Sequence, residues 1–469
     1  MESSAVFSAG QIREAVGGRL LWGASGMEAA GVSADTRTLA AGELYVPLVG
    51  PNFDGHDFIG EALAAGAAGV LVGAGRPAPE TAGAFAVEAA DTLTALGDLA
   101  LHHRRRFGLP VAAVTGSNGK TTTKEMLAAI LAEGGETLKS EGNLNNFVGL
   151  PLQVLRLGPA HDRAVFEMGM NRPGEIRRLT EIAAPDGVVI TNVAPVHLEG
   201  LGSLEAVREA QGEALEEMGP SGWAVLHTGD AESRELARRF RAAGGRVRTF
   251  GFSEESDVRA GEIRAEGAEG ARFLLQVEGW EGEVRLPAVG RHNVANALAA
   301  AAAAQLMGAS WEEAAAGLAR AEIPGMRMAV EEIRAPAGCR LLNDAYNANP
   351  ASLRQALETA GALRGGGRLF ALLGDMKELG DFAEEAHREA GRAAASAGDG
   401  VFLAAVGPMM ALAAEAAREA GMPADRVARF ETPEEAAAWA AGRLRPGDWA
   451  LVKGSRSMEM ERAVEALRG

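Results

Sequence analysis

Short apolar runs alternate with amphipathic or alanine-rich stretches along most of this chain, and the alternation predicts strands separated by helices. The middle of the chain carries five such runs: VAAV, RAVFEMG, GVVITNV, WAVLH and RVRTFGF. This order is typical of a mainly parallel sheet whose ligand site lies at the carboxyl edge of its strands. The alanine-rich stretch at residues 297–304 follows Asn293 and Asn296 at helical spacing and predicts a buried helix.

The pattern of alternating predicted strands and helices changes twice along the 469 residues, which indicates three domains. The usual domain size of about 100 to 200 residues also favours three. Residues 1–107 predict a small α/β unit, in which the strands GELYVPL and AAGVLVG flank the helix FIGEALAAGA. Residues 108–323 carry the central alternation. Residues 324–469 predict a Rossmann-like α/β unit with strands at RLFALLGD, VFLAAVG, VARF and DWALVKGS. Short linkers near 108–110 and 324–325 are candidate hinges.

The segment VTGSNGKTTTKEM joins a predicted buried strand to a predicted helix through two glycines. Gly116 and Gly119 permit backbone conformations that other residues avoid, and the helix that begins near Lys120 directs free N–H groups at an anion. In a phosphate-binding loop (P-loop) of this kind, Lys120 reaches the terminal phosphates and Thr121 places its hydroxyl on Mg²⁺. Val114 stands where the strict motif has its first glycine. The central domain is therefore predicted to be a P-loop ATPase, the alternative being a simple turn.

Composition narrows the possible partners and the compartment. A net charge of −17 disfavours a nucleic-acid partner, because duplex binding depends on neutralising phosphates with Lys and Arg. Cys339 is the single cysteine, so an intrachain disulfide cannot form and a reducing compartment fits best. The first residues lack the apolar core of a signal peptide, and no apolar run is long enough to span a membrane. We expect a cytoplasmic monomer with no membrane insertion.

The loop TGSNGKTTT resembles the nucleotide loop of the Mur ligases, ATP-dependent amide-forming enzymes of peptidoglycan precursor synthesis whose family includes folylpolyglutamate synthase. Seven further motifs support the resemblance: EGNLNNFVGLP at 141–151, EMGMNRPGEI at 167–176, TNVAPVHLEGLGS at 191–203, GRHNVANALAA at 290–300, DAYNANPASL at 344–353, LLGDMKELG at 372–380 and VKGSRSMEME at 452–461. Their order is most similar to that of the family member that adds D-alanyl-D-alanine to UDP-N-acetylmuramoyl-tripeptide. The resemblance implies ATP and Mg²⁺ as cofactors and those two molecules as substrates.

The resemblance also implies an ATP site shared between two domains. Its loop residues are Thr115, Gly116, Ser117, Asn118, Gly119, Lys120, Thr121 and Thr122. Asn293 resembles an adenine-proximal asparagine, although Asn at a helix start is also a common N-cap. Arg327 resembles an arginine that swings onto the phosphates, and Asp344 resembles an acid that binds ribose. Because Arg327 and Asp344 lie in the third predicted domain, that domain would have to close over the ATPase domain.

Glu167 and His197 each follow an apolar strand, where side chains point into the ligand crevice of such sheets. In the resembled family these two positions are magnesium ligands and act in catalysis with Lys120 and Thr121. The alternatives are a helix cap or a salt bridge for Glu167 and a structural role for His197.

One predicted metal position departs from the family. Most Mur ligases carry a lysine before Gly-Glu that CO₂ carbamylates and that helps to bind a second Mg²⁺. This chain reads VREAQGEAL, so Gln211 occupies the position and no carbamate can form. Glu209 and Glu213 lie about 200° around the helix and face away. Gln211, through its amide oxygen or a bound water, is the predicted replacement ligand and catalytic residue.

The substrate contacts rest mainly on the resemblance. SADTR and FDGHDF resemble a uridine-diphosphate site, the asparagine-rich loop corresponds to the muramoyl-peptide side, and DAYNANP and VKGSRS correspond to the acceptor or transferred phosphate. The candidates are Ser33, Asp35, Arg37, Asn143, Asn145, Asn146, Asn347, Asn349, Lys453 and Arg456, with His387 as a further candidate for the acceptor pocket. The alternatives are a salt-bridged turn for SADTR, turn-forming asparagines and a solvated loop for VKGSRS.

Three rival functions remain at this point. A sister ligase would add a single amino acid, but the acceptor region reads DAYNANP rather than the D-N-P-R signature of the diaminopimelate-adding enzyme. A folylpolyglutamate synthase would lack the first domain with SADTR and FDGHDF. The third rival is a nucleotide-gated binding module without turnover. Its only support is Gln211, which replaces the lysine that the family carries at this position.

Overall fold

The computed structural model describes residues 6–334 and 336–468 and forms three mainly parallel sheets flanked by helices. This is the predicted α/β class. Short 3₁₀ helices occur in the connections, at Gly55–Phe58, Gly267–Glu269, Gly380–Phe382, Ala424–Arg426 and Arg456–Met458. In the described part of the chain, no helix has the length and apolarity that a membrane span requires.

The first sheet has five strands, and a two-stranded antiparallel pair lies beside it. The elements are β1 (Val6–Ser8), α1 (Ala9–Ala15), β2 (Arg19–Trp22), β3 (Glu28–Ala30), β4 (Val32–Ser33), β5 (Leu44–Tyr45), α2 (Ile59–Ala64), β6 (Gly69–Gly73), β7 (Phe85–Ala89) and α3 (Thr92–Arg104). The sheet order is β2-β7-β6-β5-β4, with β2 antiparallel at the edge. The predicted strands and helix are present, although β5 is only two residues long.

The second sheet has nine strands. The elements are β8 (Val111–Thr115), α4 (Lys120–Ala132), β9 (Thr137–Lys139), α5 (Gly149–Val154), β10 (Arg163–Glu167), α6 (Glu175–Ala183), β11 (Gly187–Ile190), α7 (Leu198–Leu201), α8 (Leu204–Met218), β12 (Trp223–His227), α9 (Ala231–Ala242), β13 (Arg246–Gly251), β14 (Val258–Ala265), β15 (Ala271–Val277), β16 (Trp280–Leu286), α10 (Arg291–Leu306) and α11 (Trp311–Arg320). Strands β8 to β14 pair in parallel, and β15 and β16 add an antiparallel extension that the apolar pattern did not predict.

The third sheet has six strands. The elements are β17 (Ala329–Ile333), β18 (Cys339–Asp344), α12 (Pro350–Leu363), β19 (Leu369–Gly374), α13 (Ala383–Ser396), β20 (Val401–Val406), α14 (Met410–Glu419), β21 (Val427–Phe430), α15 (Pro433–Ala441), β22 (Trp449–Lys453) and α16 (Glu461–Arg468). The order is β17-β18-β22-β19-β20-β21, parallel except for the edge strand β17. All four strands predicted from the sequence are present.

Alternate residues of the central strands enter two different cores. Ala112 and Val114 of β8 pack with α4 and α10 on one face, whereas Val111 and Ala113 face the layer that contains α5 and α6. Every residue from 297 to 304 has 0% exposure, so the predicted buried helix is confirmed. Small alanine side chains let α10 approach the sheet and α4 closely. This packing fixes α4, and therefore the P-loop at its start, against the carboxyl edge of the sheet.

Candidate active site

The P-loop connects the end of β8 to the start of α4 through two glycines with positive φ. Gly116 has φ 125° and Gly119 has φ 83°, backbone regions that favour glycine. A Cβ at Gly116 would lie 2.1 Å from Thr191 Oγ1, and one at Gly119 would lie 2.3 Å from Asn296 Oδ1. Both glycines are thus required by conformation and by close packing, and Lys120 occupies the first position of the helix.

The ammonium group of Lys120 turns back over the loop. Its Nζ donates to Gly116 O at 2.6 Å and to Ser117 O at 3.3 Å. Burial lowers the pKa of Lys120, the charge of Glu167 opposes this shift, and the charge of Arg327 adds to it. The pKa of Lys120 is thus affected by charges on both sides of the cleft, Glu167 at the end of β10 and Arg327 just before β17.

The segment after β11 supports the loop from the neighbouring strand. Thr191 Oγ1 donates to Asn118 O at 2.6 Å, and Asn192 Oδ1 accepts from Asn118 N at 3.1 Å. Ser117 Oγ donates to Ala194 O at 2.9 Å. Sequence reasoning missed Thr191 and Asn192, although their place at the end of the apolar run next to β8 was a usable signal. These bonds hold the loop's backbone in place.

A cleft of about 1460 Å³ separates the carboxyl edge of the central sheet from the third sheet. It brings together most of the predicted site residues: Ser117, Asn118, Gly119, Lys120, Thr121, Thr122, Asn145, Asn146, Glu167, His197, Asn293, Arg327, Asp344, Asn347, Asn349, Lys453 and Arg456. The remaining predicted residues do not line it: Ser33, Asp35, Arg37, Thr115, Gly116, Asn143, Gln211 and His387.

Glu167 ends β10 and is almost completely buried, with 2% exposure. Its Oε1 accepts from Asn145 Nδ2 at 2.8 Å, and its backbone N–H donates to Ser140 Oγ at 3.1 Å. Its Oε2 is buried and has no hydrogen-bond partner among the described residues. A buried carboxylate oxygen left without a donor is costly, so this atom fits a cation that completes its environment.

The oxygen ligands offered by Glu167 and the P-loop fit magnesium better than a metal that is bound entirely by protein side chains. In the described ranges, no three His, Cys, Asp or Glu side chains lie close enough to hold a metal ion. Mg²⁺ usually takes one or two carboxylates and completes its shell with waters and substrate phosphates. Glu167 beside a phosphate-binding loop provides that arrangement.

His197 lies at the start of α7 with φ 52°, a left-handed conformation. Its Nδ1 lies 2.6 Å from Glu378 Oε2, which belongs to the segment after β19 in the third sheet. The hydrogen bond from His197 lowers the pKa of Glu378. The predicted metal ligand is therefore in direct contact with the other side of the cleft.

Gln211 lies in α8 with 2% exposure, behind the loop rather than in the cleft. Its Oε1 accepts a hydrogen bond from Thr115 Oγ1 at 2.9 Å. The amide oxygen that was predicted to face a second Mg²⁺ is therefore engaged by the hydroxyl at the end of β8. Its role as a replacement ligand stays a prediction, and a structural role in holding Thr115 stands beside it.

Wild-type turnover should not respond to bicarbonate, because Gln211 has no amine that could trap CO₂. Gln211→Lys should become bicarbonate-dependent, since the lysine stands where the family carries its carbamate. Its Mg²⁺ requirement should also fall, because a carbamate adds a ligand charge. The measurement is phosphate release titrated with Mg²⁺ and bicarbonate for both proteins.

Gln211→Ala is the companion variant. It leaves the buried Thr115 hydroxyl without its acceptor and should destabilise the fold by about 1–3 kcal/mol, measured by denaturant unfolding. Two results would contradict the prediction that Gln211 replaces the carbamylated lysine as a ligand. One is a wild-type enzyme stimulated by bicarbonate, and the other is a Gln211→Ala variant with wild-type turnover.

On the third sheet, Asp344 ends β18 and both of its oxygens are engaged. Its Oδ1 accepts from Met328 N at 3.1 Å, and its Oδ2 forms an ion pair with Lys453. Lys453 is 2% exposed and also donates to Asn347 O at 2.9 Å. Lys453 is thus a buried partner of Asp344 in this structure rather than part of a solvated loop. Arg327 lies over the ring of Tyr346, 3.8 Å from its centroid.

The asparagines of the site mostly make local hydrogen bonds. Asn293 Nδ2 donates to Val289 O at 2.8 Å, which fixes the start of α10. Asn146 Oδ1 accepts from Gly149 N at 2.9 Å in its own turn, and Asn143 is exposed. Asn349 caps α12 through Ser352 N and donates from Nδ2 to Asn118 Oδ1 of the P-loop at 2.6 Å. Asn349 therefore also connects the third sheet to the P-loop.

Four candidates that do not line the cleft have local structural partners: Ser33, Asp35, Arg37 and His387. Arg37 Nη2 donates to Asp35 Oδ2 at 2.6 Å and this hydrogen bond lowers the pKa of Asp35, so SADTR forms the salt-bridged turn considered as its alternative. Ser33 Oγ donates to Asp35 O at 3.1 Å in the same turn. His387 is fully buried and accepts from Met376 N at 3.0 Å. Arg456, by contrast, lines the cleft and pairs with Glu461 at 2.5 Å.

A phosphate-binding loop on one sheet, facing a second α/β sheet across a cleft, defines a P-loop nucleotide-binding protein whose site is shared between two sheets. Family models give a more specific class. Residues 28–104 match the Mur ligase family catalytic domain, 114–304 the Mur ligase middle domain, and 326–456 the Mur ligase glutamate ligase domain. The chain belongs to the Mur ligase family, whose members are ATP-dependent ligases.

Particular relatives are similar over nearly the whole length. The UDP-N-acetylmuramoyl-tripeptide--D-alanyl-D-alanine ligase of Bacillus subtilis (strain 168) is 38% identical over 439 residues, covering 93% of this chain and 93% of that protein. A crystal structure of MurF from Acinetobacter baumannii has a TM-score of 0.90 at 32% identity and covers 99% of both chains. MurF ligase from Thermotoga maritima, solved in complex with ADP, has a TM-score of 0.82 at 28% identity over 93% of this chain and 97% of that one.

Proposed function

We propose that this protein is the ATP-dependent ligase that joins D-alanyl-D-alanine to UDP-N-acetylmuramoyl-tripeptide in peptidoglycan precursor synthesis. One structural observation carries the proposal. Lys120 of the P-loop, Glu167 with its partnerless oxygen, and Arg327 from just before β17 line one cleft of about 1460 Å³. The similarity to the Bacillus subtilis ligase over 93% of both chains selects the substrates.

The reaction needs two steps because a carboxylate does not react with an amine in water. The terminal carboxylate of the tripeptide attacks the γ-phosphorus of ATP, which forms an acyl phosphate and releases ADP. The amine of D-alanyl-D-alanine then attacks the acyl carbon, expels inorganic phosphate and loses a proton. Two anions meet in the first step, so positioned cations provide most of the catalysis. Of the cations that line this cleft, Lys120 and Arg327 are the ones that would act at the phosphates.

Magnesium would be held by Glu167 and His197, with Thr121 at the nucleotide and Gln211 as the predicted replacement ligand. Bound there, Mg²⁺ would offset the charge of the phosphates. The chain's own groups orient the reactants: Asn145 fixes Glu167 by a 2.8 Å hydrogen bond, and Asn349 holds the third sheet against the P-loop. Asp344 and Asn293 remain the proposed ribose and adenine contacts.

We also propose the domain division 1–107, 108–323 and 324–469, with the first domain binding the uridine-diphosphate end through Ser33, Asp35 and Arg37. Each of the three family matches falls within one of these ranges, which supports the division. The acceptor would lie near Asn347, Asn349, Lys453 and Arg456, and the muramoyl peptide near Asn143, Asn145 and Asn146. The protein would act as a cytoplasmic monomer and so contribute to cell shape and division.

Acceptor specificity tests the proposed function. With ATP, Mg²⁺ and UDP-N-acetylmuramoyl-tripeptide, D-alanyl-D-alanine should support phosphate release and a product heavier by one dipeptide. L-lysine, meso-diaminopimelate, L-glutamate and D-glutamate should not. Product mass after incubation with each acceptor decides the matter. Addition of a single amino acid in preference to the dipeptide would reassign the enzyme within the family, and no turnover with any acceptor would favour a binding module.

A further inference from the structure

Glu378 connects the third sheet to the predicted metal ligand of the central sheet. It follows β19 in the segment DMKELG, whereas His197 follows β11, 181 positions earlier in the chain. Its side-chain Oε2 lies 2.6 Å from His197 Nδ1, and its backbone oxygen accepts from Glu199 N at 3.2 Å. Glu378 thus contacts both ends of the segment 197–199 across the cleft, one end through its side chain and the other through its backbone.

Both partners adopt a backbone conformation that non-glycine residues rarely use. His197 has φ 52° and Glu378 has φ 63°. Such left-handed residues persist only where the surroundings fix them, and they concentrate at ligand sites and switch regions. Here the two strained positions contact each other, so the structure maintains this contact at a conformational cost on both sides of the cleft.

The hydrogen bond also determines which imidazole nitrogen is available. Because the Glu378 carboxylate only accepts, Nδ1 carries the proton and donates to it, and the tautomer that this bond selects has its lone pair on Nε2. No described residue makes a hydrogen bond to His197 Nε2, and His197 lines the cleft. A carboxylate bound to one imidazole nitrogen while the other faces a cation is a common means of orienting a metal-binding histidine.

We propose that Glu378 is a positioning residue that orients His197 for the cation of the cleft, and that it does so from the third sheet. The proposal rests on the proposed function, since that function places the cation beside His197. It adds that the metal ligand is oriented only when the third sheet faces the central sheet. Binding of the cation and approach of the third sheet should therefore favour each other by the same factor.

The test uses Mn²⁺ as the probe, with a non-hydrolysable ATP analogue and no turnover. Electron paramagnetic resonance titrations give the Mn²⁺ dissociation constant for wild type, Glu378→Asn and Glu378→Gln. Asn tolerates the left-handed backbone but is too short to reach Nδ1, so the dissociation constant should rise about tenfold. Gln keeps an accepting oxygen at the same reach and should lose less. Thermal unfolding checks that both variants fold.

Glu384→Gln is the matched control, since Glu384 is an exposed acid in α13, outside the cleft, whose side chain makes no hydrogen bond or ion pair with the described residues. It should bind Mn²⁺ as wild type does. In a His197→Gln background, Glu378→Asn should have no further effect on Mn²⁺ binding, because its action passes through the imidazole. A merely structural contact would not produce this non-additivity.

Wild-type Mn²⁺ binding by folded Glu378→Asn would overturn the proposal. If that variant also gave a more open small-angle scattering profile, Glu378 would be a latch between the sheets only. Failure of the proposed function is distinguishable, because it would appear as absent D-alanyl-D-alanine-dependent phosphate release in the wild type while the Mn²⁺ difference between variants persisted.

Discussion

Lys120→Ala should reduce ATP-dependent phosphate release by about 10³-fold or more, because a positioned cation at the transferring phosphate supplies an effect of this size. Lys120 is the lysine of the P-loop, and its Nζ already lies over the loop, 2.6 Å from Gly116 O. Arg327 lies just before β17 on the other side of the cleft, over the ring of Tyr346, and would act beside Lys120 rather than in its place. The measurement is phosphate release with both substrates saturating.

Two further proteins make the result specific. Lys120→Met keeps an apolar chain of similar length without the charge and should be as inactive as Lys120→Ala. Lys139→Ala removes an exposed lysine of β9 that is ion-paired with the partly buried Glu125, and it should keep wild-type turnover. Thermal unfolding of all three should remain near wild type. Substantial turnover by folded Lys120→Ala would remove the phosphate-binding assignment of this loop.

Features that depend on neighbouring residues could be predicted from the sequence. The P-loop follows from an apolar strand, two glycines and a helix start within one segment, and both glycines prove to have positive φ. The buried helix at residues 297–304 follows from small apolar residues at consecutive positions, and all have 0% exposure. In both cases local conformation and burial are encoded within fewer than twenty residues.

The antiparallel extension of the central sheet could not be predicted in the same way. Strand β14 reads VRAGEIRA and is mostly exposed, so its apolar period is weak. Its register with β15 shifts between Gly261 and Arg264, which interrupts the alternation that would mark a half-buried strand. Pairing with β13 and β15 determines this strand, and pairing partners are not visible in a local pattern.

The resemblance named candidate site residues one by one, but it could not indicate the contacts between them. Resemblance identified Asp344 and Lys453 separately, whereas the structure joins them as a buried ion pair. Likewise, nothing local to His197 indicates Glu378, because the contact depends on how two sheets face each other. Gln211 illustrates the same limit: its helix position was clear, but its hydrogen bond to Thr115 depends on the packing of α8 behind β8.

Glu167→Gln should lower turnover by at least about 10²-fold while leaving the fold intact. The substitution keeps the size of the side chain and an oxygen that can accept from Asn145, so the hydrogen bond at 2.8 Å can persist. It removes the negative charge whose second oxygen is buried without a hydrogen-bond partner in the described structure. A neutral amide is less costly to bury than an incompletely paired carboxylate. The free energy of unfolding should therefore fall by no more than about 1 kcal/mol, because the lost attraction to Lys120 is offset by the lost burial cost.

The separation of activity from stability is what makes this variant informative. Glu358→Gln makes the same chemical change at an exposed acid on the rim of the same cleft and should alter neither quantity. If Glu167 were a structural residue only, Glu167→Gln would lose stability and activity together, and extra Mg²⁺ would not help. If it binds the cation, the loss should be partly relieved at high Mg²⁺, because a weakened site is filled by mass action. Phosphate release titrated with Mg²⁺, beside denaturant unfolding of the same samples, distinguishes the two. Wild-type turnover by Glu167→Gln at low Mg²⁺ would exclude Glu167 as a ligand, and its partnerless oxygen would then require another explanation.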